Sequence, residues 1–177
     1  MKKLFAAMIA LCLLLCSAAL AEETVQVNWS DYFEGAVAAA DVAGGFVTFD
    51  EIAVKFWIPD MLKPVELTDE DRANGFIGYY ADENNEAKLA VVYVNMDGMT
   101  VEQYAEALKE TDGVTEIEMA VVNGLQAVNY QVPDSDTLNV AFATEKGYIL
   151  EITMAPLSAE GADMVWGAVA SSIQAAD

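Results

Sequence analysis

Glu116, Glu118 and Glu151 lie on stretches that read as β-strands, and their carboxylates are the most reactive groups on offer there. Two carboxyl groups held about 5–10 Å apart in a groove can hydrolyse a glycoside, one as acid and one as base or nucleophile. Asn123-Gly124 is a strong hairpin signal and supplies a register. Pairing Val122 with Leu125 sets Ala120 opposite Ala127, Glu118 opposite Asn129 and Glu116 opposite Gln131. Farther on, Glu151 and Thr153 alternate with Leu150, Ile152 and Met154, with Asn139 near Thr153. If four strands form one meander, Glu116, Glu118, Asn129, Gln131, Asn139, Glu151 and Thr153 share a face that could hold a cation or hydrogen-bond a glycan. The plainer account is the solvated side of a half-covered sheet.

Two loops invite a calcium reading: Asp82, Asn84 and Glu86 alternate at a hairpin tip, and Asp134-Ser135-Asp136 follows Pro133. Calcium wants six to eight oxygens, and each loop supplies two or three side chains. Asp and Asn also favour turns for local hydrogen-bonding reasons. Calcium is thus the one candidate cofactor, with none as the leading expectation. Trp57, on the opposite side of its strand from Phe56 and alongside Lys55, could stack on a sugar or a partner, although burial beneath a helix is the simpler expectation. Tyr79, Tyr80, Phe142, Tyr148 and Trp166 read as core.

Much chemistry is excluded by subtraction. The chain has no histidine, and its two cysteines, Cys12 and Cys16, lie in an N-terminal stretch with the features of a secretory leader. Met1-Lys2-Lys3 is basic, Leu4 to Leu15 is apolar, and Ala19-Leu20-Ala21 is a small-x-small cleavage site, so residues 1–21 read as a signal peptide and 22–177 as one domain. Leu15 before Cys16 argues against lipid attachment, which wants a small residue there. The exported part would have neither thiol nor imidazole, hence no Ser-His pair, cysteine nucleophile or imidazole-bound zinc. A non-enzyme is expected.

Acidic residues number 29 against eight basic ones, a net charge of −21. Without a basic stripe, nucleic acid is not an expected partner. Nor is membrane insertion expected once the leader is removed, since no second apolar span follows and the helix faces are acidic. Such a field attracts cations and basic proteins, and it also keeps an exported protein soluble.

The elements that must position these residues follow from local signals. Ser30 could cap a helix from Asp31 to about Asp41, ended by Gly44-Gly45. Phe46 to Phe49 and the alternating Ile52 to Ile58 read as strands, and Pro59 stops the second. Thr68 to Asp71 caps a single turn ending near Gly75, and strands Phe76 to Ala81 and Ala87 to Asn95 form a hairpin. The latter is apolar on both faces and needs cover on both. Thr100-Val101-Glu102-Gln103 is a capping box opening a helix with a Val101, Tyr104, Ala105, Leu108 stripe, closed by Gly113. Four strands follow (Val114 to Val122, Leu125 to Val132, Thr137 to Thr144, Tyr148 to Met154), then a helix capped by Ser158 that carries Ala162, Val165, Val169 and Ile173. The fold class is α+β: a mostly antiparallel sheet covered by helices.

This order resembles the Mog1/PsbP-like superfamily and its DcrB-like bacterial relatives. Ile52 to Pro59 is similar to their early apolar strand ending at proline, Gly147-Tyr148-Ile149-Leu150-Glu151 to their late aromatic strand, and Ser171-Ser172-Ile173 to the end of their last helix. The resemblance covers roughly Phe46 to Ile173 and implies an α/β/α sandwich acting as a non-enzymatic partner in larger assemblies. The expected function is a secreted bacterial interaction module, extracellular or at the cell surface (periplasmic if there is an outer membrane), with a protein partner the sequence does not identify. The alternatives are an acidic calcium- or glycan-binding protein using the polar sheet face and a carboxylate-dependent hydrolase.

Overall fold

The structure is a computed structural model describing residues 24–39, 41–94, 98–144 and 148–176. The expected leader with Cys12 and Cys16, the expected turn at Glu145 to Gly147 and the expected strand end at Asn95 lie outside the described residues. Asn123 (φ 46°) and Gly124 (φ 85°) adopt the left-handed conformations of a two-residue hairpin turn. They join β7 (Thr115–Val122) to β8 (Leu125–Val132) in the expected register, Val122 opposite Leu125 and Glu118 opposite Asn129. β9 (Thr137–Ala143) and β10 (Ile149–Ala155) complete the meander.

β10 then pairs with β6 (Lys88–Val94), β6 with β5 (Phe76–Ala81), and β5 with the two-residue β4 (Lys63–Pro64). β1 (Val25–Val27) lies parallel to β7 at the opposite edge, making eight strands in the order β1-β7-β8-β9-β10-β6-β5-β4. A second sheet has β3 (Val54–Pro59) between β2 (Gly44–Phe49) and β11 (Gln174–Ala175). Among the described residues the α-helices are α1 (Asp31–Ala39), α2 (Asp69–Ala73), α3 (Val101–Lys109) and α4 (Ala162–Ser172).

Both faces of the large sheet are covered, as the two-sided apolar β6 requires. On one face Leu89, Val91, Phe142, Leu150, Ile152 and Met154 join Phe56 and Ile58 of the small sheet and Trp166 and Val169 of α4 in one core. On the other face Val128, Tyr130, Ala141 and Ile149 receive Val101, Tyr104, Ala105 and Leu108. Thr100 and Gln103 form the expected capping box of α3, each side chain satisfying the other residue's backbone N–H.

Several boundaries differ from expectation. Gly44 and Gly45 open β2 instead of ending the helix, and β3 begins at Val54 because Glu51 to Ala53 turn, with Ala53 left-handed at φ 50°. Gly161, not Ser158, stands at the N-cap of α4. Ser158 instead gives its N–H (2.9 Å) and hydroxyl (2.6 Å) to the Asp136 carboxylate. Tyr148 is not core: it is 39% exposed and meets Tyr93 edge-on, with centroids 5.6 Å apart. Among the described residues no helix is long and apolar enough to cross a membrane.

Candidate functional site

The expected polar face is divided. Asn139 pairs with Tyr130 and Asn129 with Val140, so the β8–β9 register sends Asn129 and Asn139 to opposite sides. Glu118, Asn129 and Gln131 lie on the α4 side of the sheet; Asn139, Glu151 and Thr153 lie on the α3 side. The connection from β8 to β9 is responsible. A 3-10 turn over Pro133–Ser135 and left-handed Asp136 (φ 54°) set Val132 opposite Thr137. Glu116 is also displaced: a bulge pairs Thr115, not Glu116, with Gln131 and leaves Glu116 at φ 52°. Glu118 and Glu151 therefore cannot flank a common groove, and that glycosidase pair is not formed.

Glu151 has another role. Its Oε2 accepts from the Tyr104 hydroxyl of α3 at 3.0 Å and, by a very short bond, from the Tyr130 hydroxyl of β8. Its Oε1 accepts from Thr153 at 3.3 Å. Desolvation, followed by the negative charge of Glu151, pushes the Tyr104 phenol up to about 12, and the same causes push Tyr130 higher still. Both phenols stay protonated at neutral pH and act as donors. The cluster joins α3 to the sheet. Asn139, 3% exposed, donates to Thr137 at 3.1 Å.

The two candidate calcium loops are organised internally. Asp82 Oδ1 accepts the backbone N–H groups of Glu86 (2.7 Å) and Ala87 (3.2 Å), which closes the hairpin tip. Asn84, Glu86 and Asp134 are exposed, and Asp136 is taken up by Ser158. Among the described residues no three acidic, histidine or cysteine side chains gather as a metal-binding group.

Trp57 lies elsewhere, on the small sheet. β2 and β3 pair Phe46 with Trp57 and Thr48 with Lys55, placing these four on the face opposite Phe56. Between that face and α1 is a cleft of about 410 Å³. Trp57 is only 5% exposed at its base, and its backbone N–H donates to Ser172 Oγ of α4 at 2.8 Å. A Cβ at Gly44 would stand 2.4 Å from the Trp57 ring and 2.6 Å from the Ile58 carbonyl oxygen. Only glycine permits this approach.

Trp29 and Phe46 also line the cleft, perpendicular to each other with centroids 5.9 Å apart, and Phe33 stacks on Trp29 at 6.2 Å. Asn123 holds this wall, since its Oδ1 accepts the Trp29 backbone N–H at 2.6 Å while its Nδ2 donates to the Ser171 and Ile173 carbonyls at 2.7 and 2.9 Å. Glu34, Asp41 and Asp60 also line it, and among the described residues the lining has no lysine or arginine. Sequence reasoning singled out Trp57 but missed Trp29, Phe46 and these three acids. Trp29 falls in no periodic segment, and its nearness to Trp57 depends on long-range pairing.

No protein-family model matches the sequence, and no curated protein matches it. Solved structures do. The chain is similar to the solution structure of cyanobacterial PsbP (CyanoP) from Synechocystis sp. PCC 6803 at 14% identity and a TM-score of 0.51, over 76% of this chain and 93% of that one. It is also aligned with the Ran-binding protein Mog1p of Saccharomyces cerevisiae at 13% identity and a TM-score of 0.42, over 77% and 97% of the respective chains. With its mostly antiparallel sheet, the helix on one face and the helix and small sheet on the other, this chain has a Mog1/PsbP-like α+β fold.

Proposed function

We propose that this protein is an exported, non-enzymatic interaction module that works at the cell surface or in the extracellular space by holding a protein partner. The observation that carries the reading is the cleft between α1 and the small sheet. Its aromatic lining includes Phe46, a large apolar side chain left 44% exposed. An apolar pocket with a few convergent polar groups is the usual form of a recognition site. The leader-like residues 1–21 support export. The absence of histidine, with the separation of Glu118 from Glu151, supports recognition over bond chemistry.

The test is capture from the surface fraction of the producing cells, comparing the immobilised protein with its Phe46→Ala variant. The expected result is a protein retained by the parent and lost from the variant. Equal recovery on both, or none on either in repeated trials, would refute the reading.

A further inference from the structure

We propose that the α1/small-sheet cleft is a docking groove for a basic, extended segment of a partner protein, taking a lysine or arginine side chain between its aromatic lining and its carboxylates. The inference rests on the interaction-module reading above and specifies the partner's chemistry.

Size, lining and charge point the same way. A volume of about 410 Å³ is at the small end of ligand-sized pockets, enough for one long side chain and part of the next. Trp29 and Phe46 present aromatic surface, and Trp57 forms the nearly buried base, its indole against the backbone at Gly44. Among the described residues, Glu34, Asp41 and Asp60 supply the ionisable groups of the lining. Lys55 shares the outer face of the small sheet with Trp57 but does not line the cleft.

A carboxylate-lined pocket with apolar walls concentrates cations, and the chain's net charge of −21 adds to the field. An anion is repelled, and an uncharged sugar gains nothing from that field. A hard metal ion would meet aromatic carbon where it needs six to eight oxygens. A lysine or arginine side chain matches both parts, its apolar stem lying on the rings and its head reaching the carboxylates.

Backbone geometry favours an extended segment. β2 is an outer strand of the small sheet among the described residues, and Gly44, Gly45 and Phe46 at its start are all exposed. A partner strand laid along this edge would deliver alternate side chains toward the cleft, as in recognition by strand addition.

The experiment is a titration of the purified protein with tetra-arginine amide, followed by tryptophan fluorescence. Trp29 and Trp57 line the cleft, whereas Trp166 is 3% exposed and donates its ring N–H to the Pro156 carbonyl. The expected result is saturable binding, with Phe46→Ala and the double variant Asp41→Asn/Asp60→Asn each about tenfold weaker or more. A charge-matched control, Glu83→Gln/Glu160→Gln, neutralises two exposed acids outside the cleft and should change affinity less than about threefold. Unchanged melting of each variant establishes that it is folded.

The proposal is overturned if the control weakens binding as much as the cleft variant does, since the attraction is then diffuse. Equal affinity for a neutral tetrapeptide or an oligosaccharide also overturns it, as does an unaffected Phe46→Ala. If tetra-arginine fails while capture of a partner still depends on Phe46, only the basic-segment inference falls and the interaction module stands.

Discussion

Replacing Tyr130 with Phe removes one hydroxyl and leaves the ring in place, which makes it a clean probe of the cluster that fastens α3 to the sheet. Glu151 has three donors, of which the Tyr130 hydroxyl makes the shortest bond, Tyr104 follows at 3.0 Å and Thr153 is at 3.3 Å. A hydrogen bond to a charged partner contributes about 1.5–3 kcal/mol. Tyr130 is 5% exposed, so water does not replace the lost donor freely. The expected cost of Tyr130→Phe is therefore about 2 kcal/mol, and at 2–4 °C per kcal/mol for a domain of this size the melting point falls by about 4–8 °C.

Urea unfolding at pH 7, with helicity and tryptophan fluorescence as probes, measures the loss. A double-mutant cycle isolates its cause. In a Glu151→Ala background the Tyr130 hydroxyl has already lost its acceptor, so the same Tyr130→Phe change should cost under about 0.5 kcal/mol, giving a coupling of at least about 1 kcal/mol. If Tyr130→Phe destabilises both backgrounds equally, or neither, the cluster does not anchor α3 as described.

The same phenols give an alkaline limit. Their folded pKa values are raised above the unfolded value near 10, so both contributions are full below pH 10; that of Tyr104, raised to about 12, is lost as pH climbs through 12, and that of Tyr130 persists higher. The melting point should fall over that window, and Glu151→Gln should bring phenolate absorbance to lower pH; an unchanged phenolate titration in that variant would count against the Glu151 contribution. Asn123→Ala deletes an acceptor for Trp29 and two bonds to the end of α4, with an expected loss of about 2–4 kcal/mol in urea unfolding; a loss below about 0.5 kcal/mol would mean those bonds do not hold the chain there. Gly78→Ala puts a Cβ 2.8 Å from Phe49, whose ring is stacked on Phe56 at 5.0 Å and cannot easily yield, so about 1–3 kcal/mol is lost. Gly35→Ala in α1 meets nothing within 4 Å and should stabilise by about 0.4–1 kcal/mol; thermal melts of the two variants should move in opposite directions.

What could be read from sequence was what local chemistry decides. Thr100 and Gln103 announced α3, and Asn123-Gly124 set the β7–β8 register, because both signals act within four residues. The two-sided apolar run of β6 required cover on both faces, and both are covered. β1, β4 and β11 were missed, since strands of two or three residues are defined by their partners and have no period of their own. The shared polar face failed at one connection, where the turn through Pro133 and Asp136 chose which of Asn129 and Asn139 faced α3. Trp57 was picked out by its alternation with Phe56, but its cleft is assembled from α1, β2 and Trp29 through contacts that no local pattern encodes.

The pairing of β1 with β7 and of β11 with β3 has a consequence for the order of assembly. Val25 meets Ala120, and Gln174 meets Lys55, so each contact closes a loop of about a hundred residues. Such closure costs on the order of 4 kcal/mol of chain entropy before any contact repays it, and strands as short as β1 and β11 repay little. The β7–β8 hairpin and α3 can form from neighbouring residues, whereas these two short strands need the rest of the sheets already in place. A chain handed across a membrane from its first residue to its last would thus leave the β11 edge of the small sheet open until residues beyond α4 emerged, whereas β1 could pair once β7 was in place. The small sheet and the bonds from Asn123 to the Ser171 and Ile173 carbonyls would be completed only then, so the support behind the cleft would be the last part of the molecule to form.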